Sequence, residues 1–236
     1  MAQKIVLIDG IGEVVLQKRK GSRSIRLSVG HEGKLRVSLP AWSPYKVGEA
    51  FVRSKLDWIL QQQAHKQTHL FSADERIGKA HRLKFMFEQR DAIASRVNAT
   101  EIIIKLPLGS DPSGIPTQKI IKAAAMRALK QEAKLLLPGR LKALAAQHDF
   151  SYRSVVIKQL KTRWGSCSSR QEIALNCFLM QLPWDLIDYV LLHELLHTQI
   201  MAHGKPFWDE LGRYVTNLPA KRKLMRDYQP NILPQQ

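Results

Sequence analysis

The stretch that most restricts this chain is residues 183–203, PWDLIDYVLLHELLHTQIMAH, where an apolar stripe opened by a proline runs directly into three histidines. Leu186, Ile187, Val190, Leu191 and Leu195 recur at helical spacing, so the segment reads as a buried helix with His193, Glu194 and His197 on its last turns. Residues four apart share one helical face, which lets the imidazoles of His193 and His197 point at one ion, while Glu194 sits about 100° around the axis. That pattern suits a zinc hydrolase. Two neutral imidazoles hold a metal without cancelling its charge, and the adjacent carboxylate can accept a proton from a polarised water. A plain core helix is the competing reading, and Leu191, Leu192, Leu195 and Leu196 would serve either by burying the segment.

A catalytic zinc takes three protein ligands and keeps one position open. His203 follows His197 by six residues, a spacing that resembles the HExxHxxGxxH arrangement of metzincins. Along an unbroken helix six residues rotate a side chain about 120° away, so the helix has to end first. Where the metzincin turn has glycine this chain has Ile200, a β-branched residue ill suited to positive φ, which moves the expected turn to Ala202–Gly204. The alternative third ligand is a downstream carboxylate, with Glu210 ahead of Asp209 and Asp227. Glu210 is also a candidate to hydrogen-bond a ligand imidazole from behind, or to lie on a solvated helix face.

Upstream, short alternating runs at 4–8, 13–17, 24–29 and 34–39 predict strands, with hairpin turns at Asp9-Gly10 and His31-Glu32-Gly33. Pro44 after Ser43 predicts a helix start, and Val47, Phe51, Leu56, Ile59 and Leu60 carry that helix to about Gln63, covering the small sheet. Strands are expected at 81–88 and 101–106, and the Gly- and Pro-containing GSDPSGIP at 109–116 reads as a connection. The expected division is therefore a β-rich region over 1–115 and a hydrolase domain over 116–236. Residues 117–147 form a helical stripe of Ile120, Ile121, Ala124, Leu129 and Leu136, interrupted at Pro138-Gly139 by a kink or a second start. Strands at 155–157 and 172–175 flank a polar loop through Ser169.

The chain has 236 residues, enough for a sizeable core at 44% hydrophobic content. Its 37 Lys and Arg against 20 Asp and Glu give a formal charge of +17, which favours contact with polyanions, or else serves solubility alone. Two cysteines without CxxC spacing exclude a disulfide scaffold or zinc ribbon and fit a reducing, cytoplasmic setting. The first apolar run breaks at Asp9-Gly10, and no stretch reaches the roughly 18 apolar residues of a membrane span, so a soluble, unexported protein is expected.

The segment KTRWGSCSSRQEIALNCFLMQLPWDLIDYVLLHELLHTQIMAHGKPFW, residues 161–208, closely resembles the YgjP-like metallopeptidase family, relatives of the Wss-type and SprT-type zinc proteases. Its ordered pieces are TRWGSCS, the strand leading to Asn176, Leu182-Pro183, the HELLH helix, and His203 with Phe207-Trp208 behind it. RSIRLSV and the Trp58-Ile59 helix extend the likeness toward the N-terminus. The resemblance implies zinc ligands at His193, His197 and His203 and a catalytic Glu194. The fold class expected is α+β, a small β-rich N-terminal part followed by a zincin-like domain with a short sheet and an HExxH active-site helix.

The loop before the ligand helix offers substrate contacts. Gly165 and Ser166 can bring backbone N–H groups close to a reacting carbonyl, and Arg163 can clamp a carboxylate or phosphate; packing of Trp164 and Cys167 against the helix is the plainer alternative. Tyr214 is a further oxyanion donor candidate, with a core tyrosine as its plainer reading. In zincins a sheet edge can pair with an extended peptide, which gives QEIALN a use if it lies at an edge. A zinc peptidase acting on peptide or protein substrates is the reading these features favour. A nucleoside triphosphate pyrophosphohydrolase using Lys158, Lys161 and Arg163 on the phosphates is the alternative, although no P-loop occurs. A third is a nucleic-acid-binding protein with a structural zinc, motivated by Lys18-Arg19-Lys20 and Lys221-Arg222-Lys223. Oligomeric state is not legible in the sequence.

Overall fold

A computed structural model of the chain describes residues 3–29, 35–56, 59, 70–228 and 230. The chain divides between residues 69 and 70 into two compact units.

In the first unit, β1 (Gln3–Ile8), β2 (Gly12–Arg19), β3 (Arg26–Val29) and β4 (Leu35–Pro40) form one sheet in the order β1-β2-β4-β3. The hairpin expected at Asp9-Gly10 forms, with Gly10 and Gly12 both at positive φ and Ile11 N–H donating to the Ile8 carbonyl. The turn predicted at residues 31–33 lies outside the described residues, although β3 and β4 do pair antiparallel. Alternation puts Val14, Leu16, Val37 and Leu39 on one face, where α1 (Tyr45–Arg53) covers them through Val52. A Cβ at Gly48 would stand 3.0 Å from a Leu39 methyl, so helix and sheet meet too closely for a side chain there. The helix ends at Arg53 and, after a turn at Ser54 and Lys55, helical backbone returns at Leu56 and Ile59; of its expected continuation, residues 57, 58 and 60–63 lie outside the described residues.

The second unit begins with β5 (Arg76–Ile77), β6 (His81–Glu88), β7 (Ala94–Val97) and β8 (Glu101–Pro107), in the order β5-β6-β8-β7. A single helix, α2 (Ile115–Gln147), follows, and no second helix starts at Pro138, which costs only one N–H donor inside the run. The boundary expected at 115/116 is displaced, because Leu83, Ile102, Ile104 and Leu106 of this sheet share one core with Ile121, Ala128 and Leu129 of α2. The 109–116 connection is an ordered turn: the Asp111 carboxylate accepts from the Ser113 N–H and hydroxyl, and the Gln118 amide donates to the Phe71 and Pro112 carbonyls.

A third sheet, of β9 (Ser154–Lys158), β10 (Gly165–Cys167) and β11 (Glu172–Asn176), has the order β10-β11-β9. A 3-10 turn over Cys177–Gln181 then leads into α3 (Trp184–Leu196), α4 (Lys205–Tyr214) and α5 (Leu218–Asp227). Among the described residues no helix is long and apolar enough to cross a membrane.

Glu132, buried on α2, anchors that helix to the β5–β6 turn. Its carboxylate accepts from the N–H groups of Lys79 (2.6 Å), Ala80 (2.9 Å) and His81 (3.2 Å) and contacts His81 Nδ1 at 2.6 Å. Gly78, at φ +70°, leaves room for it, since a Cβ there would fall 2.2 Å from Glu132 Oε2. Lys79 extends the anchor to the start of α3: its ammonium donates to the Leu182 carbonyl and sits 5.2 Å from the Trp184 ring centre. Arg140 of α2 adds a bidentate pair with Asp188 of α3. Glu132→Ala strands these buried donors, so urea unfolding is expected to show a loss of about 3 kcal/mol or more.

Candidate metal centre

The apolar face of α3 is buried from Leu186 to Leu196, and His193 and His197 project one turn apart at its end. The helix closes at His197, with the two histidines on its last turn, and the chain bends again at Ala202 and Gly204. Thr198 N–H donates to the Leu195 carbonyl, and the N–H groups of Gln199 and Ile200 both reach the Leu196 carbonyl. No residue from 197 to 204 has positive φ, which is why isoleucine serves at position 200.

This stop swings His203 back. The Nε2 atoms of His193 and His197 lie 3.2 Å apart, those of His197 and His203 3.1 Å, and those of His193 and His203 2.9 Å. The Ile200 carbonyl lies 3.0 Å from His197 Nδ1, so that nitrogen carries the proton and the neutral ring's Nε2 presents its lone pair. Burial, with the neighbouring imidazoles and Arg222, lowers the His193 pKa to about 3, and burial lowers that of His197. Both rings are therefore neutral donors at neutral pH. Three nitrogens at this separation fit a zinc–nitrogen distance of about 2 Å, and three protein ligands leave a fourth position free. Histidine nitrogens suit zinc better than magnesium, which prefers oxygen.

Aromatic rings brace the triad. Phe207, fully buried, lies 4.9, 4.7 and 4.8 Å from the ring centres of His193, His197 and His203. Trp208 Nε1–H donates to the His203 carbonyl at 3.0 Å, fixing the backbone of the third imidazole. Their signal in sequence was the Phe-Trp pair opening α4.

Glu194 lies beside the triad, almost wholly buried. Burial pushes its carboxyl up to about 8 against the opposing pull of Arg163, and its Oε2 has no hydrogen-bond partner among the described residues. Gly165 lies directly against it: a Cβ at that position would stand 2.7 Å from Glu194 Cγ and Oε1. Residues 165–167, expected in a polar loop, instead form strand β10, paired antiparallel with β11. Thus QEIALN is the central strand, held on both sides, and β10 is an edge. Asn176, fully buried, secures the approach to β10, donating from Nδ2 to the Leu160 and Arg163 carbonyls at 2.8 Å each. Arg163 itself is exposed, whereas Trp164 and Cys167 pack against the core.

Two expected carboxylate and phenol roles do not fit this geometry. Glu210 accepts from Tyr214 Oη at 2.7 Å and pairs with Arg213 at 2.9 Å, and among the described residues the metal-competent group comprises the three histidines without it. Tyr214 packs edge-on against His148 and Phe150. The contact to a ligand imidazole expected of Glu210 is made instead by the Ile200 carbonyl.

Residues 23–228 match a family model described as YgjP-like, metallopeptidase domain. The crystal structure of the metallopeptidase zymogen of Pyrococcus abyssi abylysin aligns at 23% identity with a TM-score of 0.36, over 42% of this chain and 100% of that one. No curated protein matches the sequence.

Folding the metal-free chain moves Glu194 from an ordinary 4.5 to about 8. The folded state therefore holds a proton that the unfolded state releases, and this stabilising contribution, complete below the unfolded pKa, fades as pH rises through the folded one. In urea unfolding of chelator-treated protein, the wild type should lose on the order of 3 kcal/mol relative to Glu194→Gln between about pH 5 and about pH 8.

Proposed function

The chain belongs to the YgjP-like family, and from that membership together with the imidazole triad we propose that it is a zinc-dependent metallopeptidase with a zincin-like catalytic domain. His193, His197 and His203 would hold the zinc, which when bound supplies a Lewis acid able to acidify a water and polarise a carbonyl. The convergence of their three Nε2 atoms within 3.2 Å is the observation that carries this reading.

Glu194 is the general base. Its carboxyl is carried next to His193 on α3 and is almost wholly buried, and one of its oxygens has no hydrogen-bond partner among the described residues, which leaves it open to take a proton from the attacking water and return it to the departing amine. Gly165 supports that role by letting backbone, rather than a side chain, press against the carboxylate.

The substrate would lie along β10. Asn176 N–H bonds to the Trp164 carbonyl and Ser168 N–H to the Glu172 carbonyl. By antiparallel alternation, Ser166 then faces β11, while the N–H and C=O groups of Gly165 and Cys167 point outward from the edge. An extended peptide adding to this edge would run past Glu194, with Arg163 at its start. Peptides fit this outward-facing backbone better than nucleotides do, since the triad favours zinc over the magnesium that accompanies most phosphoryl transfer.

Metal analysis and peptide cleavage test the assignment together. Glu194→Gln should retain about one zinc per chain while cleaving peptides about 10² to 10⁴-fold more slowly. Undiminished cleavage by that variant would remove Glu194 from the mechanism, and stoichiometric zinc in His203→Ala would remove His203 from the site.

A further inference from the structure

A guanidinium is held beside the candidate metal centre with no ion-pair partner among the described residues. Asn217, in the left-handed region at φ +53°, turns the chain sharply between α4 and α5. On α5, Arg222 lies with its guanidinium carbon 3.6 Å from the centre of the Trp208 ring. That indole is itself tied to the site: its ring centre is 5.9 Å from that of His193 and 5.6 Å from that of His203, and its N–H holds the His203 carbonyl. Arg222 is only half-exposed and has no ion-pair partner among the described residues. Its positive charge is felt at Tyr189, one helical turn before His193.

An arginine lying over an aromatic face is held by cation–π attraction and keeps its in-plane N–H donors available at its edges. A carboxylate completes that donor fork with two parallel hydrogen bonds.

Resting on the peptidase reading above, we propose that Arg222 binds a carboxylate of the peptide substrate and so directs cleavage to peptides with a negative charge close to the scissile bond. Trp208 acts as its platform, coupling the position of the guanidinium to that of His203. The chain's charge of +17 favours the approach of such substrates, and the local selection falls to Arg222. The carboxylate has two sources, a free peptide C-terminus or an Asp or Glu side chain.

The test uses full-length, zinc-loaded protein and matched peptides: one series pairs a free with an amidated C-terminus, and the other, amidated throughout, exchanges Asp for Asn and Glu for Gln at each position. Binding to zinc-loaded Glu194→Gln is measured alongside cleavage, and zinc content and circular dichroism establish that each Arg222 variant is folded. The wild type should favour the carboxylate-bearing member of one series by about ten-fold or more in kcat/KM, chiefly through KM. Arg222→Ala should abolish that preference in both cleavage and binding, and Arg222→Lys, which keeps charge but not the fork, should restore only part of it. The series that responds identifies the source. A preference that survives in folded Arg222→Ala overturns the proposal, as does efficient cleavage of peptides with no preference in the wild type, which leaves the peptidase reading intact. Hydrolysis of nucleoside triphosphates with no peptide cleaved would overturn the peptidase reading and the proposal with it.

Discussion

The site depends on where one helix ends. If α3 continued past His197, His203 would point away from its two partners. The closure at Leu195, Leu196 and Ile200 instead reverses the chain within a few residues and brings three Nε2 atoms together. The same reversal presents the Ile200 carbonyl to His197 Nδ1, so one piece of backbone geometry both gathers the imidazoles and sets the tautomer of the middle one. The helix itself is held from behind, by Arg140 on Asp188 and by Lys79 on the Leu182 carbonyl and Trp184.

Burial then sets the chemistry. Apolar surroundings keep His193 and His197 unprotonated and, in the metal-free chain, raise the carboxyl of Glu194, so the imidazoles present lone pairs beside a buried acid. A glycine at 165 makes that burial possible from the sheet side, and Phe207 closes it from α4. Charges at the periphery remain solvated or half-exposed: Arg163 before β10 and Arg222 over Trp208.

Much of this was legible in the sequence because it is local. The ligand helix follows from the spacing of Leu186, Val190, Leu191 and Leu195, and the need for a helix break before His203 follows from rotation per residue alone. What was not legible depends on partners distant in the chain. GSC has no periodicity of its own and becomes a strand only by pairing with β11. The manner of the helix ending left no mark in the sequence, because 3-10-like bonds close it without any left-handed residue or glycine. Glu210 is drawn to Tyr214 and Arg213 on its own helix, away from the imidazoles. Residues 109–116 looked like a linker because glycine and proline mark turns and linkers alike, and only the core shared by β6, β8 and α2 distinguishes them.

X-ray absorption at the zinc edge of the loaded protein tests the central assignment most directly. Three nitrogen ligands at about 2.0 Å and one oxygen, with imidazole scattering that falls by one ring in His203→Ala, is the expected result. A sulfur ligand, a protein carboxylate in place of the third imidazole, or a spectrum unchanged in His203→Ala would contradict it.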